Sequence, residues 1–415
     1  MWRHWTGMAP ATRRLLAARF WRSLSQGALV VDLSLYLHAL GWTGVAIGGV
    51  LSGGGLFGAT MSLLVGVTSD RLRRKPFLLA YEGLTCLCAL TALATASPLW
   101  LTLAIVLAGF GRGASGAAGP FSPAEQAWLA EAVDLQQRGL VYSLNTSFGF
   151  LGMALGALAA ALPPLWHASL GATFSFRPLF GLVLLGNAVN FVLVAGTPEV
   201  RHTRPLGVKA PSPDAAAESD RAHENRFLLR LMGLNALNGL AVGLVGPLIA
   251  YWFALRFHVG PAAIGPIMAL TFLLTAGSSL FMGLMSRRVG LVRAVQWGRS
   301  AGLAFLALMP IMPLYSLAAL LYMLRSTVNR GTVGARQALV VSVVRDERRG
   351  LAVSLNALSM MVPMSVGPTL AGAMIGAGWF MTPFYIAAAL QGLYVFFYGS
   401  AFAPFEQAAM TTDED

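Results

Sequence analysis

The chain has 415 residues, 56% of them hydrophobic and 11% charged, with a formal net charge of +12 and a mean hydropathy of +0.66. A soluble protein carries about a quarter charged residues, so this composition excludes an ordinary soluble domain and places the chain in lipid. Apolar and polar residues do not alternate over ~10-residue segments, which excludes a membrane β-barrel, and the cations lie between apolar segments instead of forming one patch, which excludes a nucleic-acid surface.

Crossing ~30 Å of hydrocarbon takes ~20 apolar residues, and the chain divides into twelve such spans. Residues 1–14 form a basic amphipathic lead-in with Arg3, His4, Arg13 and Arg14. No small-residue cleavage site follows the first apolar segment, so it reads as a retained helix. Spans 1 to 6 are expected at about 15–39, 43–66, 76–97, 99–119, 139–162 and 178–197. Cys86 and Cys88, two apart in span 3, face different directions and read as core residues. Segment 198–226 is polar, charged and proline-bearing, as a linker should be. Spans 7 to 12 follow at about 227–255, 261–285, 294–312, 314–340, 349–375 and 381–403. The expected division is a first six-helix bundle at 1–197, a linker at 198–226 and a second bundle at 227–415.

With the N-terminus inside, Arg71–Lys75, Arg138, Arg201–Arg230, Arg287–Arg293 and Arg345–Arg349 all face the cytoplasm. The other side receives only Arg177, Arg256, His167 and His258, so both termini are expected to be cytoplasmic. Lysine is confined to Lys75 and Lys209, and the Arg-, Ala- and Gly-rich usage points to a bacterial source and hence to the inner membrane.

An internal repeat runs through the chain. Gly66-Val-Thr-Ser-Asp70-Arg71 recurs as Gly283-Leu-Met-Ser-Arg287-Arg288 at an offset of 217. Arg112-Gly-Ala-Ser-Gly116 recurs as Arg330-Gly-Thr-Val-Gly334 at 218, and Arg138-Gly-Leu-Val-Tyr-Ser-Leu-Asn145 as Arg349-Gly-Leu-Ala-Val-Ser-Leu-Asn356 at 211. Three ordered echoes read as two duplicated halves around a midplane site, a transporter architecture.

Gly66–Pro76 reads GVTSDRLRRKP, with Asp70 followed by Arg71, Arg73, Arg74 and Lys75. This spacing resembles the loop between helices 2 and 3 of the major facilitator superfamily, G-x-x-x-D-[RK]-x-G-[RK]-[RK], except that Arg73 stands at the second glycine. Arg112-Gly-Ala-Ser-Gly116-Ala-Ala resembles that family's helix 4 pattern R-x-x-Q-G-x-G-A, with Ser115 at the glutamine. Gly152-x-x-x-Gly156-Ala157-x-x-Ala160-Ala161 resembles its antiporter-associated pattern on helix 5, with Ala157 in place of proline, while span 11 carries Gly367-Pro368.

The resemblance implies an all-α integral membrane fold: twelve transmembrane helices in two pseudo-symmetric six-helix bundles, working by alternating access. It implies that Asp70, with Gly66, Arg71 and Arg74, gates the inner side by meeting the start of helix 11 near Arg349; a purely topological loop is the competing reading. It also pairs Arg112 with an acid of helix 1 for proton coupling. Asp32 and Glu82 are the only acids inside the expected spans, and Asp32 is the natural partner. A guanidinium that approaches or leaves a buried carboxyl changes its affinity for a proton; a fixed ion pair is the alternative.

Ser25, Asp32 and Tyr36 share one face of span 1. With Asn145, Asn235, Asn238, Arg325, Asn329 and Asn356 they are candidates for the substrate cavity, although hydrogen bonding between helices serves each asparagine equally well. Arg325 has no obvious acid nearby and admits an anionic or electron-rich ligand. Met360, Met361, Met364 and Met374 read as packing.

No His, Cys or carboxylate cluster has hydrolytic or metal-ligand spacing. The chain therefore reads as a monomeric transporter and not an enzyme, with no cofactor. Its expected partners are a small-molecule substrate, protons and the lipid bilayer. Proton-coupled efflux is the leading expectation; proton-coupled uptake and a non-transporting sensor are the alternatives.

Overall fold

A computed structural model describes residues 8–69, 74–111, 125–126, 128–129, 133, 138–198, 215–343 and 349–412. Among the described residues every regular element is helical. The first group comprises α1 (Pro10–Ala39), α2 (Gly44–Ser69), α3 (Arg74–Ala94), α4 (Pro98–Ala108), α5 (Arg138–Ala159), the short α6 (His167–Phe174) and α7 (Arg177–Ala195). The second comprises α8 (Ala215–Val245), α9 (Ile249–Phe257), α10 (Pro261–Val289), α11 (Leu291–Leu308), α12 (Tyr315–Val343), α13 (Arg349–Gly376) and α14 (Thr382–Thr412).

Local chemistry sets many of these ends. Proline occupies the first turn of α1, α4, α7 and α10, where its missing N–H costs nothing. Eight helical stretches among the described residues are long and apolar enough to cross a bilayer. Outside that set stand α4 and α9, which are short, and α1, α11 and α12, which carry arginines in their interiors. Large apolar side chains such as Leu99, Trp100, Phe281 and Phe396 lie on the outside, as a lipid-facing surface requires.

The fourth and seventh spans depart from expectation. In the fourth, the helix that opens the span ends at Ala108, because Gly109 is left-handed (φ 62) and Gly111 again has positive φ (80), and residues 112–119 lie outside the described residues. The Tyr81 hydroxyl donates to the freed Ala108 carbonyl at 2.8 Å. The seventh is broken between Val245 and Ile249, where Pro247 has no N–H to give. The resulting α9 is a separate aromatic rod, with Trp252 Nε1 donating to the Phe380 carbonyl at 2.8 Å. Upstream, α8 already begins at Ala215, inside the expected linker, where Ala-rich sequence favours helix; residues 199–214 lie outside the described residues.

Within each group, helices cross on glycine. A Cβ on Gly152 or Gly156 of α5 would strike the Phe20 or Leu24 carbonyl of α1. In the second group, a Cβ on Gly239 or Gly243 of α8 would strike the Met360 or Met364 carbonyl of α13. The crossings α1–α5 and α8–α13 thus share one device, small residues that let backbones touch.

The groups meet along the pairs α2–α13 and α5–α10. Call the end where α1 starts and α14 finishes the near end, and the opposite end the far end. The described joints lie toward the far end. Gly44 and Gly48 abut the carbonyls of Gly372 and Pro368, and Gly55 abuts Ser365. Thr369 bonds the Ser52 hydroxyl through its own hydroxyl at 2.8 Å and its backbone N–H at 3.1 Å. Gly265 closes on Ala157 and Ala161, and His38 packs edge-on against Tyr251 at 5.3 Å.

Candidate coupling and substrate sites

Asp32 lies in the outer half of α1, about 10 Å from its far end by helical rise. It is 1% exposed, and neither carboxylate oxygen has a hydrogen-bond partner among the described residues. Among the described residues nothing hydrogen-bonds a charge there. Arg112, its expected partner, lies outside the described residues. The residue before it, Gly111, sits against the Leu33 side chain and near the Leu29 carbonyl, within one turn of Asp32. Phe110 packs on Phe180 at 6.1 Å, and Phe180 packs on Tyr36 at 5.5 Å, so the chain entering Arg112 is held beside this part of α1.

The face shared by Ser25, Asp32 and Tyr36 turns toward α7. The Ser25 hydroxyl donates to the Trp21 carbonyl at 3.1 Å and the Val183 carbonyl at 3.4 Å. Tyr36 is 1% exposed, with its ring against Phe176 and Phe180 and its hydroxyl unpartnered among the described residues. Both residues are therefore placed in the α1–α7 packing layer and not on an open wall: the helical period fixes that they share a face, not what the face meets.

About 15 Å along α1 from Asp32 is a second polar site. Arg22 Nε donates to Glu82 Oε1 of α3 at 2.9 Å, and its Nη1 donates to Glu125 Oε2; all three side chains are buried. Arg19, one turn earlier, is within electrostatic range of Glu125, and Asn190 of α7 adjoins the Glu82 carboxyl. Two cations and two carboxylates balance. Sequence reasoning missed this site because Glu125 follows the expected fourth span and reads as a loop residue. The available signal was Arg19 and Arg22, three apart inside an apolar helix.

In the second group the expected asparagines come together. Asn235 Nδ2 donates to Asn356 Oδ1 at 2.8 Å and Ser359 Oγ at 3.1 Å, while its Oδ1 accepts from Arg336 Nη2 at 2.9 Å. Asn238 Oδ1 accepts from Arg299 Nη1 at 3.1 Å, and Arg299 Nε donates to the Thr332 hydroxyl at 3.2 Å. Arg325 is 6% exposed and its Nε has no partner; Asn329 Oδ1 is likewise buried and unpartnered among the described residues. Asn145 is buried on α5, apart from this set. Arg299 and Arg336 are additions that the sequence reading did not single out.

At the near end, Asp70 and Arg71 lie outside the described residues. Gly66 is in the last turn of α2 and Arg74 opens α3, with nothing described of their surroundings. Lys75 does contribute: its ammonium donates to the carbonyls of Ala195 at 2.6 Å and Thr197 at 2.9 Å, and Arg14 reaches the Gly196 carbonyl. Cations on the last carbonyls of α7 complement its dipole. Among the described residues no group of His, Cys, Asp or Glu could hold a metal ion.

Comparison with known proteins gives the following. The sequence model of the Major Facilitator Superfamily matches residues 15–230 and 231–409. An uncharacterized membrane protein of Saccharomyces cerevisiae is 23% identical over 407 residues, covering 91% of this chain and 90% of its own. Among solved structures, a mutant of the nucleoside transporter NupG superposes with a TM-score of 0.75 at 14% identity, covering 94% of this chain and 100% of that one. A bacterial homologue of the iron transporter ferroportin, in an inward-facing state, superposes with a TM-score of 0.70 at 14% identity over 95% and 98%. A D-xylose–proton symporter gives 0.68 at 13% identity over 93% and 96%.

Proposed function

The chain belongs to the major facilitator superfamily, and from that premise we propose a secondary active transporter that works by alternating access and exports a small amphipathic organic compound in exchange for protons. Its bundles, residues 1–197 and 227–415, rock about the midplane. The observation that carries the reading is Asp32, a buried carboxyl with no hydrogen-bond partner among the described residues, one turn from the backbone that leads into Arg112. Intramembrane acids in such positions serve proton and ion pathways. Asp32 takes up and releases the coupled proton, and Arg112 sets when it does so.

The distribution of cations supports a cytoplasmic near end. The described joints lie toward the far end, which supports reading the near end as the side that opens in this conformation. Asp70, Gly66, Arg71 and Arg74 form the latch that closes this side, by the charge of Asp70 against the first turn of α13. The glycine-based α1–α5 crossing supports export, because it keeps the resemblance of Gly152 and Gly156 to the antiporter pattern at the level of packing.

The test is purified protein in liposomes under an imposed pH gradient, with a panel of amphipathic fluorescent compounds. Wild type drives at least one across the membrane, and Asp32→Asn binds it without driving it. Gradient-driven movement that survives Asp32→Asn removes Asp32 from the mechanism. A protein that moves nothing is a sensor, and one that accumulates solute with the proton flow is a symporter.

A further inference from the structure

From Asn225 to Arg345 the sequence contains no Asp or Glu, and none from Arg348 to Phe405. Yet this stretch buries arginines. Arg325, Asn329, Thr332 and Arg336 recur along α12 at i, i+4, i+7 and i+11, which is one helical face. Arg299 of α11 reaches into that face and feels both Arg325 and Arg336 as like charges. Arg299 and Arg336 both lie over the Tyr394 ring, at 5.6 Å and 5.9 Å from its centroid.

Their protein partners are all neutral and too few. Among the described residues Arg336 bonds only through Nη2, to Asn235 Oδ1 and the Met360 sulfur. The same thioether, a weak acceptor, also serves Asn238 at 3.9 Å. A guanidinium offers five N–H donors in a planar fork that suits two-oxygen anions. Donors and positive charge are thus in surplus around Arg336, and the sequence from Asn225 to Arg345 supplies no carboxylate to balance them. Arg336, Asn356 and Ser359 are half-buried, so the surplus is open at this end of the face, while Arg299 and Arg325 are buried behind it.

We propose that the transported compound carries a carboxylate, sulfonate or similar oxyanion, and that Arg336 and Arg299, with Asn235 and Asn356, form its binding site in the second bundle. This rests on the transporter reading above and supplies its substrate class. The guest's oxyanion takes the unused Arg336 donors and the Asn356 amide N–H groups, Asn235 holds Arg336 and Asn356 in place, and the guest's apolar body lies toward Met360.

The experiment is thermal unfolding of the purified full-length protein in detergent with 2-naphthoate, 2-naphthalenesulfonate and the uncharged 2-naphthamide. Both anions raise the unfolding temperature, and the amide needs about tenfold higher concentration, the equivalent of one charge-assisted hydrogen bond. Arg336→Gln removes the preference for the anions; Arg336→Lys keeps part of it. Should Arg336→Gln fail to fold, Asn235→Asp places a carboxylate beside Arg336, which holds the fold and abolishes anion binding while sparing the amide. Equal effects of amide and anions, no effect of either anion, or a preference that survives both Arg336→Gln and Asn235→Asp overturns the proposal. The transporter reading fails separately: protein that binds 2-naphthoate but moves no compound in liposomes loses the transport reading and keeps the site, whereas protein that moves only neutral or cationic compounds keeps transport and loses the site.

Discussion

In α1, Arg22 reaches Glu82 at 2.9 Å and also Glu125, and its charge is neutralised inside the protein. In α11 and α12, among the described residues, Arg299 and Arg336 hydrogen-bond only neutral groups, Asn238, Thr332, Asn235 and a thioether, and both lie over the Tyr394 ring. The same side chain, buried in the same kind of helix bundle, is closed in one half and left chemically open in the other. Burying a cation against a carboxylate fixes helices but leaves no demand for a guest; burying it against neutral acceptors leaves that demand standing. The difference separates the parts by task. On the proposed reading, the first half holds its architecture with Arg22 and uses Asp32 for the proton, while the second half receives the compound.

The comparison breaks most readily at Arg22. Arg22→Ala strands two buried carboxylates and should destabilise by about 3–5 kcal/mol, read as a large fall in unfolding temperature in detergent. A change within error would mean that the cluster is not closed. The opposite sign is expected in the second half. Arg325→Met removes a buried cation with no carboxylate partner among the described residues and should be neutral or stabilising, by up to ~4 kcal/mol; a fall in unfolding temperature would show that a counterion was there.

The way the halves meet sharpens the contrast. Gly48→Ala drives a methyl into the Pro368 carbonyl and should cost about 1–3 kcal/mol of far-end closure. Cysteine accessibility at far-end positions should rise accordingly, and unchanged labelling would mean that the joint yields. The smallest effect belongs to Asp70→Asn, where a carboxylate near a helix N-terminus is worth ~0.3–1 kcal/mol. It should raise near-end accessibility by a few-fold at most, and equal labelling of both proteins would dismiss the latch.

The helices of the apolar segments were legible because hydrocarbon demands them: α2, α7 and α13 begin and end within about three residues of where the apolar runs place them. The breaks were not. Gly109 and Gly111 end α4 early, and Pro247 separates α9 from α8, inside sequence whose hydropathy does not change. Asn235, Asn238 and Asn356 could be singled out as polar residues in apolar runs. Their union with Arg299 and Arg336 depends on how four helices are rotated against one another, which is set by backbone contact at residues such as Gly239 and Gly243. Glu125 shows the reverse failure: a buried acid past the end of an apolar run looks like solvent-exposed loop.

At Gly44, Gly48 and Gly55, α2 meets α13 through main chain and one small hydroxyl pair, Ser52 with Thr369. At Gly44 and Gly48 the contact is backbone against backbone, so parting the helices at these points moves no glycine side chain past a neighbour. A smooth joint of this kind holds by fit and lets go all at once, as an on–off seal must.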